Sequence, residues 1–150
     1  MRHASVVLGV VLLALCGGQV AGAAASGGAS ERMVDAINQA RERASLPALK
    51  DAPALERSAG AFARWLLTHD TLEHRPRIST TGSYGHSGEA LSMHFSLQAQ
   101  VGSTLRAWLG SARHRALVLT RSMNRLGVGH ARGYHLGRAR TIWVVQVARR

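Results

Sequence analysis

Two stretches decide the fold: Leu126-Gly127-Val128-Gly129-His130-Ala131, and Thr141-Ile142-Trp143-Val144-Val145-Gln146-Val147. Both are short runs of β-branched, small and aromatic residues, and Gly133 and Gly137 lie between them. That arrangement predicts two strands joined as a hairpin. Toward the N-terminus the apolar period changes. Leu55, Ala59, Phe62 and Leu66 form a stripe at helical spacing, flanked by Trp65. Asp51 is placed to cap this helix, Pro53 is tolerated in its first turn, and the helix extends to Leu67 or His69. Met33, Ile37 and Ala40, with Val34 alongside, predict an earlier helix over Glu31 to Arg43, with Ser30 as its cap and Leu46-Pro47 beyond its end. Leu97 to Leu109 reads as a third helix with Val101, Leu105 and Trp108 on one face, although Gly102 inside it costs about 1 kcal/mol relative to alanine. Ser111 is placed to cap a short turn through Leu117, and Arg75 to Gly88 reads as an irregular loop with at most a short strand. Helices come first and strands last, which predicts a layered α+β domain, not a βαβ repeat.

The composition fits one domain. The chain has 150 residues, 46% of them apolar, which excludes intrinsic disorder. The single cysteine, Cys16, excludes an intrachain disulfide and a four-thiolate zinc module. Charge divides the chain into two halves. Residues 30–74 hold six basic and seven acidic side chains, whereas residues 75–150 hold twelve arginines and one acid, Glu89. The net charge of +11 therefore resides in the second half, and it draws the protein to anionic partners: wall polymers, lipopolysaccharide, anionic lipid or nucleic acid. The arginines are scattered with few aromatics among them, which weighs against nucleic acid. A plain solvated basic surface is the alternative.

The first 25 residues have the three-part form of a secretory signal peptide: Arg2, an apolar run from Val6 to Leu15, then small residues that include Ala21-Gly22-Ala23 and Ala23-Ala24-Ala25. The run is well short of the roughly 20 residues that span a bilayer as a helix. The alternatives are an uncleaved N-terminal anchor and a lipoprotein processed at Cys16, where Leu15 is a poor neighbour for that chemistry. The expected organisation is a signal peptide over residues 1–25, a linker over 26–30 and one domain over 31–150. The expected location is secreted or periplasmic.

Three polar residues stand beside apolar segments: His74, Glu89 and His114. Two imidazoles and a carboxylate form a donor set for a divalent ion if they converge, though each alone is more often a structural group. Glu89 has an equal case as structural support, pairing with an arginine or fixing a histidine ring. Ser111 and His114 at i and i+3 form a possible nucleophilic dyad, against the commoner role of such a serine as a helix cap. His69, His86, His94, His130 and His135 have no motif around them and read as surface or loop groups.

The ordered set resembles the CAP superfamily of cysteine-rich secretory proteins, antigen 5 and plant pathogenesis-related proteins, in its short cysteine-free bacterial form. The matching pieces are residues 33–41, Leu46-Pro47-Ala48-Leu49-Lys50, residues 55–63, Leu72-Glu73-His74, Gly88-Glu89, the Trp108, Ser111, His114 and Arg115 series, Leu126-Gly127-Val128-Gly129 and Trp143-Val144-Val145-Gln146. The resemblance implies an α-β-α sandwich around a mainly antiparallel sheet, with a cavity lined by His74, Glu89 and His114. It implies His74 and His114 as holders of a divalent metal such as zinc. Ser111 stands where eukaryotic relatives carry a second glutamate, and Ala90 replaces the usual asparagine.

Two functions follow as expectations. The first is a secreted binding module whose cavity and basic face hold an anionic or amphipathic envelope ligand, a lipid or a wall fragment, with peripheral membrane contact among the candidate interactions. The second is a metal-dependent hydrolase in which His74 and His114 hold the ion and Glu89 serves as base or orienter. The first needs fewer positioned groups.

Overall fold

The structure is a computed structural model that describes residues 28–78 and 84–150. The segment read as a signal peptide and part of the loop around Gly82 lie outside the described residues. No helix among the described residues is long and apolar enough to cross a membrane.

Helix α1 covers Ala29–Arg43. It opens earlier than expected, so Ser30 lies inside its first turn and Gly28 takes the capping position. Glu31 serves the start instead, its carboxylate accepting the Gly28 N–H at 2.8 Å. Strand β1 is only Lys50–Asp51. Asp51 is thereby used in the sheet, Ala52 becomes the cap of helix α2, Pro53–His69, and Pro53 takes its first position. Asp70 ends α2 in the left-handed region at φ 49°. Strand β2, His86–His94, replaces the end of the expected loop. Helix α3, Val101–Gly110, starts later than its apolar spacing suggested, and helix α4, Ala112–Val118, follows at once. Ser111 holds the junction through its backbone carbonyl, which accepts the Arg115 N–H at 2.8 Å. Ser111 is the N-cap residue of α4, as expected, although its side chain makes no cap bond. Strands β3, Arg125–His135, and β4, Arg138–Arg149, form the hairpin, both longer than their apolar cores. The turn between them is Leu136-Gly137, with φ 47° and 74°.

The four strands lie in the order β1-β3-β4-β2. The β1–β3 pair is parallel and the other two pairs are antiparallel. Successive residues of a strand face opposite sides, and the core divides accordingly. On one side Met33 and Ile37 of α1, Leu105 and Trp108 of α3 and Val118 of α4 pack with Val128, Trp143, Val145 and Val147. On the other, Ala59, Phe62, Ala63 and Leu66 of α2 pack with Leu91, Ala131, Ile142 and Val144. The chain is thus an α+β sandwich with a mainly antiparallel sheet between helical layers.

The two layers are held differently. Gly127 and Gly129 of β3 lie under the α2 backbone. A Cβ at Gly127 would fall 2.3 Å from Leu55 C and Glu56 N, and one at Gly129 would fall 2.2 Å from Ala59 C. Glycine is required there by close approach. The opposite layer is filled by large side chains whose polar edges are tied to backbone. Trp143 donates its indole N–H to Ala99 O at 2.6 Å, and Trp108 donates to Leu91 O at 3.0 Å. Arg41, only 1% exposed, joins α1 to the end of α4. It donates to Pro47 O at 2.9 Å, Val118 O at 2.8 Å and Thr120 O at 3.0 Å. Burial, and secondarily Arg121, lower its pKa.

Candidate functional site

The site lies at the β2 edge of the sheet, where three segments meet. Glu89 pairs in register with Gln146 of β4. Both residues point toward the α2 side, like Leu91 and Val144 on the same strands. The chain leaving α2 doubles back along that helix, and Arg75 fixes its return. The Arg75 guanidinium stacks over the Phe62 ring at 4.0 Å and donates to Ser58 Oγ at 3.0 Å. This brings His74 against β2. Gly88 does the corresponding work on the other face. A Cβ there would fall 2.2 Å from Leu117 Cδ1, so its absence leaves room for that side chain of α4 against the strand.

Glu89 is the centre of the cluster. Its side chain is 6% exposed, and both carboxylate oxygens are engaged. Oε1 lies 3.3 Å from His74 Nδ1. Oε2 accepts the Gln146 side-chain N–H at 2.9 Å and lies 3.7 Å from Arg75 Nη2. A carboxylate only accepts, so the contact assigns the ring proton to His74 Nδ1 and leaves Nε2 of the neutral ring as a lone-pair donor. The His74 side chain is 42% exposed. His114, on α4, has its pKa lowered, first by burial and then by the nearby His74 and Arg113. Its charged form is therefore disfavoured beside a second imidazole and a guanidinium.

Among the described residues, no three of His, Cys, Asp and Glu converge as a metal cage. Glu89 is already consumed by Gln146, His74 and Arg75, so a facial set of two histidines and this carboxylate does not fit. The carboxylate stands behind His74, in the position of a group that orients a ring. Ser111 is set apart from this network, since none of the contacts holding Glu89 reaches it.

The hollow beside this cluster has a volume of about 300 Å³, and its walls include His74, Glu89, Arg77 and Arg113. A larger groove of about 470 Å³ shares His74, Arg75 and Pro76 with it and is walled by Phe62, Trp65 and Glu73. Trp65 stacks on Phe62 at 5.8 Å and on His69 at 4.2 Å, so the second space is bounded by an aromatic ladder along α2.

Sequence reasoning missed Gln146 and Arg75. Gln146 carried a usable signal: it interrupts the apolar run of residues 142–147, and a fully buried amide needs a partner. Arg75 carried none beyond its place after His74. Three histidines read as surface or loop groups, His94, His130 and His135, are instead half-buried in strands. His130 packs on the Trp143 ring at 4.4 Å, and His94 bonds Thr104 Oγ1 at 2.7 Å and Ser92 Oγ at 3.2 Å. Both face the three-helix layer, a placement that the sequence around them did not mark.

Among solved structures, an outer surface protein of Borrelia burgdorferi superposes with a TM-score of 0.66 at 20% identity, covering 81% of this chain and 92% of that one. An extracellular protein containing an SCP domain from Bacillus anthracis gives 0.67 at 20% identity, with 81% of this chain covering 40% of that one. The venom allergen-like protein 4 of Schistosoma mansoni gives 0.61 at 11% identity, over 82% and 89% of the two chains. At these identities the likeness establishes the fold. No curated protein sequence matches the chain. Residues 34–147, most of its length, match the cysteine-rich secretory protein family, CAP, and the chain belongs to that family.

Proposed function

We propose that this protein is an exported binding module that holds an anionic or amphipathic component of the cell envelope, a lipid or a wall fragment, in the hollow beside His74. The observation that carries this reading is the state of Glu89. The one carboxylate of the cluster is buried and spent on Gln146, His74 and Arg75, while Arg77 and Arg113 line the same hollow. That hollow therefore offers cationic and imidazole donors to a ligand, and the one further acid of the combined lining, Glu73, lies in the adjoining groove. The adjoining groove with Phe62 and Trp65 supplies an apolar wall next to that cationic floor, which suits a ligand with a charged head and an apolar tail. Export is supported by the signal-peptide pattern of residues 1–25 and by relatives described as outer-surface and extracellular proteins.

Calorimetric titration with a short-chain soluble phosphatidylglycerol and with a muropeptide tests the reading. His74→Ala and Arg113→Glu are expected to weaken binding of one of these probes at least tenfold, about 1.4 kcal/mol. Equal affinity in both variants and the parent removes the cavity from the function.

A two-imidazole zinc site is the second reading. It is favoured by the contact of His74 Nδ1 with Glu89, which frees Nε2 for an ion shared with His114. Bound zinc would supply Lewis acidity, and Glu89 would orient the His74 ring. Zinc titration of the parent and of His114→Ala separates this reading from the first: loss of zinc affinity in the variant supports it, and zinc affinity at neutral pH that is absent from both sinks it.

A further inference from the structure

The β3–β4 turn combines two choices that work against stability at one residue. Leu136 has φ 47°, the left-handed region that asparagine or glycine occupies readily and a branched side chain does not. The same side chain is 87% exposed. Tyr134, two residues earlier, is 68% exposed, and Phe95, at the base of the hairpin, is 70% exposed. Strand β2 ends with His94 opposite Thr141, so the hairpin beyond that row has no strand on its β2 side and projects by about 10 Å.

The exposed charged side chains on the hairpin from that row outward are arginines. Arg132 and Arg138 are exposed, and Arg138 and Arg140 lie 5.7 Å and 4.5 Å from the Phe95 ring. The one acid at the base, Asp70, is answered by Arg140 Nε at 3.1 Å and His135 Nε2 at 3.9 Å. An apolar tip with an aromatic residue behind it and arginines at the flanks matches the layering of an anionic bilayer surface: acyl boundary, headgroup level, phosphates.

We infer that the β3–β4 tip is a membrane-contacting wedge: Leu136 enters the acyl boundary of an anionic phospholipid bilayer, Tyr134 rests at headgroup level, and Arg132 and Arg138 meet lipid phosphates. This surface is separate from the Glu89 cavity. Gln146, which holds Glu89, lies nine residues along the chain from Gly137 of the turn. The inference stands whether or not that cavity takes a ligand.

The test is flotation of the full chain with vesicles of equal phosphatidylglycerol and phosphatidylcholine, and with vesicles of phosphatidylcholine alone, combined with hydrogen exchange at residues 132–139. Leu136→Asn suits the turn better than leucine and so preserves the fold. The parent is expected to prefer the anionic vesicles, to slow exchange at the tip amides when they are added, and to bind roughly tenfold more tightly than Leu136→Asn. Arg138→Glu is expected to weaken binding further at low salt. Lys50→Ala, beside Arg125 at the opposite end of β3 from the tip, is expected to leave vesicle binding unchanged. Equal binding by Leu136→Asn and the parent, or vesicle binding without protection of the tip, overturns the wedge.

Discussion

The two faces of the sheet are built by opposite means. Where α2 crosses β3 the contact is backbone on backbone, made possible by Gly127 and Gly129, with Phe62 and Leu66 packing beside the crossing. Against α1, α3 and α4 it is made of large side chains, Trp108 and Trp143 above all, with their indole N–H groups tied to carbonyls. The difference teaches where tolerance lies. A thin interface has no side chain to rotate away, so one added carbon must move a helix. A thick interface can redistribute a change over several neighbours.

The largest effect should therefore come from the smallest substitution. Gly129→Ala places a Cβ against Ala59 and Gly60 of the α2 backbone and is expected to cost about 3 kcal/mol or more, read by urea denaturation. Arg41→Ala comes next. It strands the carbonyls of Pro47, Val118 and Thr120 inside the thick layer and is expected to cost about 2–3 kcal/mol in the same assay. Trp143→Phe removes ring volume and the bond to Ala99 but leaves an aromatic group, at an expected cost of about 2 kcal/mol. If Trp143→Phe proves more damaging than Gly129→Ala, the contrast between the faces is wrong.

The mildest test is acid. Burial is the leading cause that lowers the pKa of His94, His114 and His130, all of which belong to the three-helix side or its edge. Below the ordinary histidine value of about 6.5 the unfolded chain binds protons that these folded rings resist. Stability is then fully present above that value and is lost as pH falls through the lowered folded values. Hydrogen exchange as pH is lowered should show α1 and α3 loosening before α2. Earlier loosening of α2 would contradict the assignment of the titrating groups to the thick layer.

Much of this frame is legible in the sequence because its signals are periodic. The stripes Met33–Ile37–Ala40 and Leu55–Ala59–Phe62–Leu66 mark α1 and α2, and the apolar run 141–147 marks β4. Strand β2 was missed because Ser87, Gly88, Ser92 and His94 supply no apolar alternation, and its order comes from pairing with β4. β1 is too short to leave a pattern. Ser111 and Asp51 are good cap residues whose side chains the structure does not use as caps, since one holds its junction by backbone and the other is recruited by β3. At the site, motif order could nominate His74 and Glu89. The geometry that consumes the Glu89 carboxylate depends on Gln146, distant by 57 residues, and on Arg75, whose position follows from Phe62 and Ser58.

The Glu89–Gln146 pairing also makes the cavity a proofreader of the sheet. Were the outer strand to slip by a single residue against β4, every side chain on it would change sides, and the carboxylate would be delivered among the tryptophans instead of to its amide. The buried acid would then be unpaired, a costly error that no apolar residue at that position would impose. Only a chain zipped in the correct alignment can assemble the hollow, so competence to bind there would be acquired together with the native strand alignment.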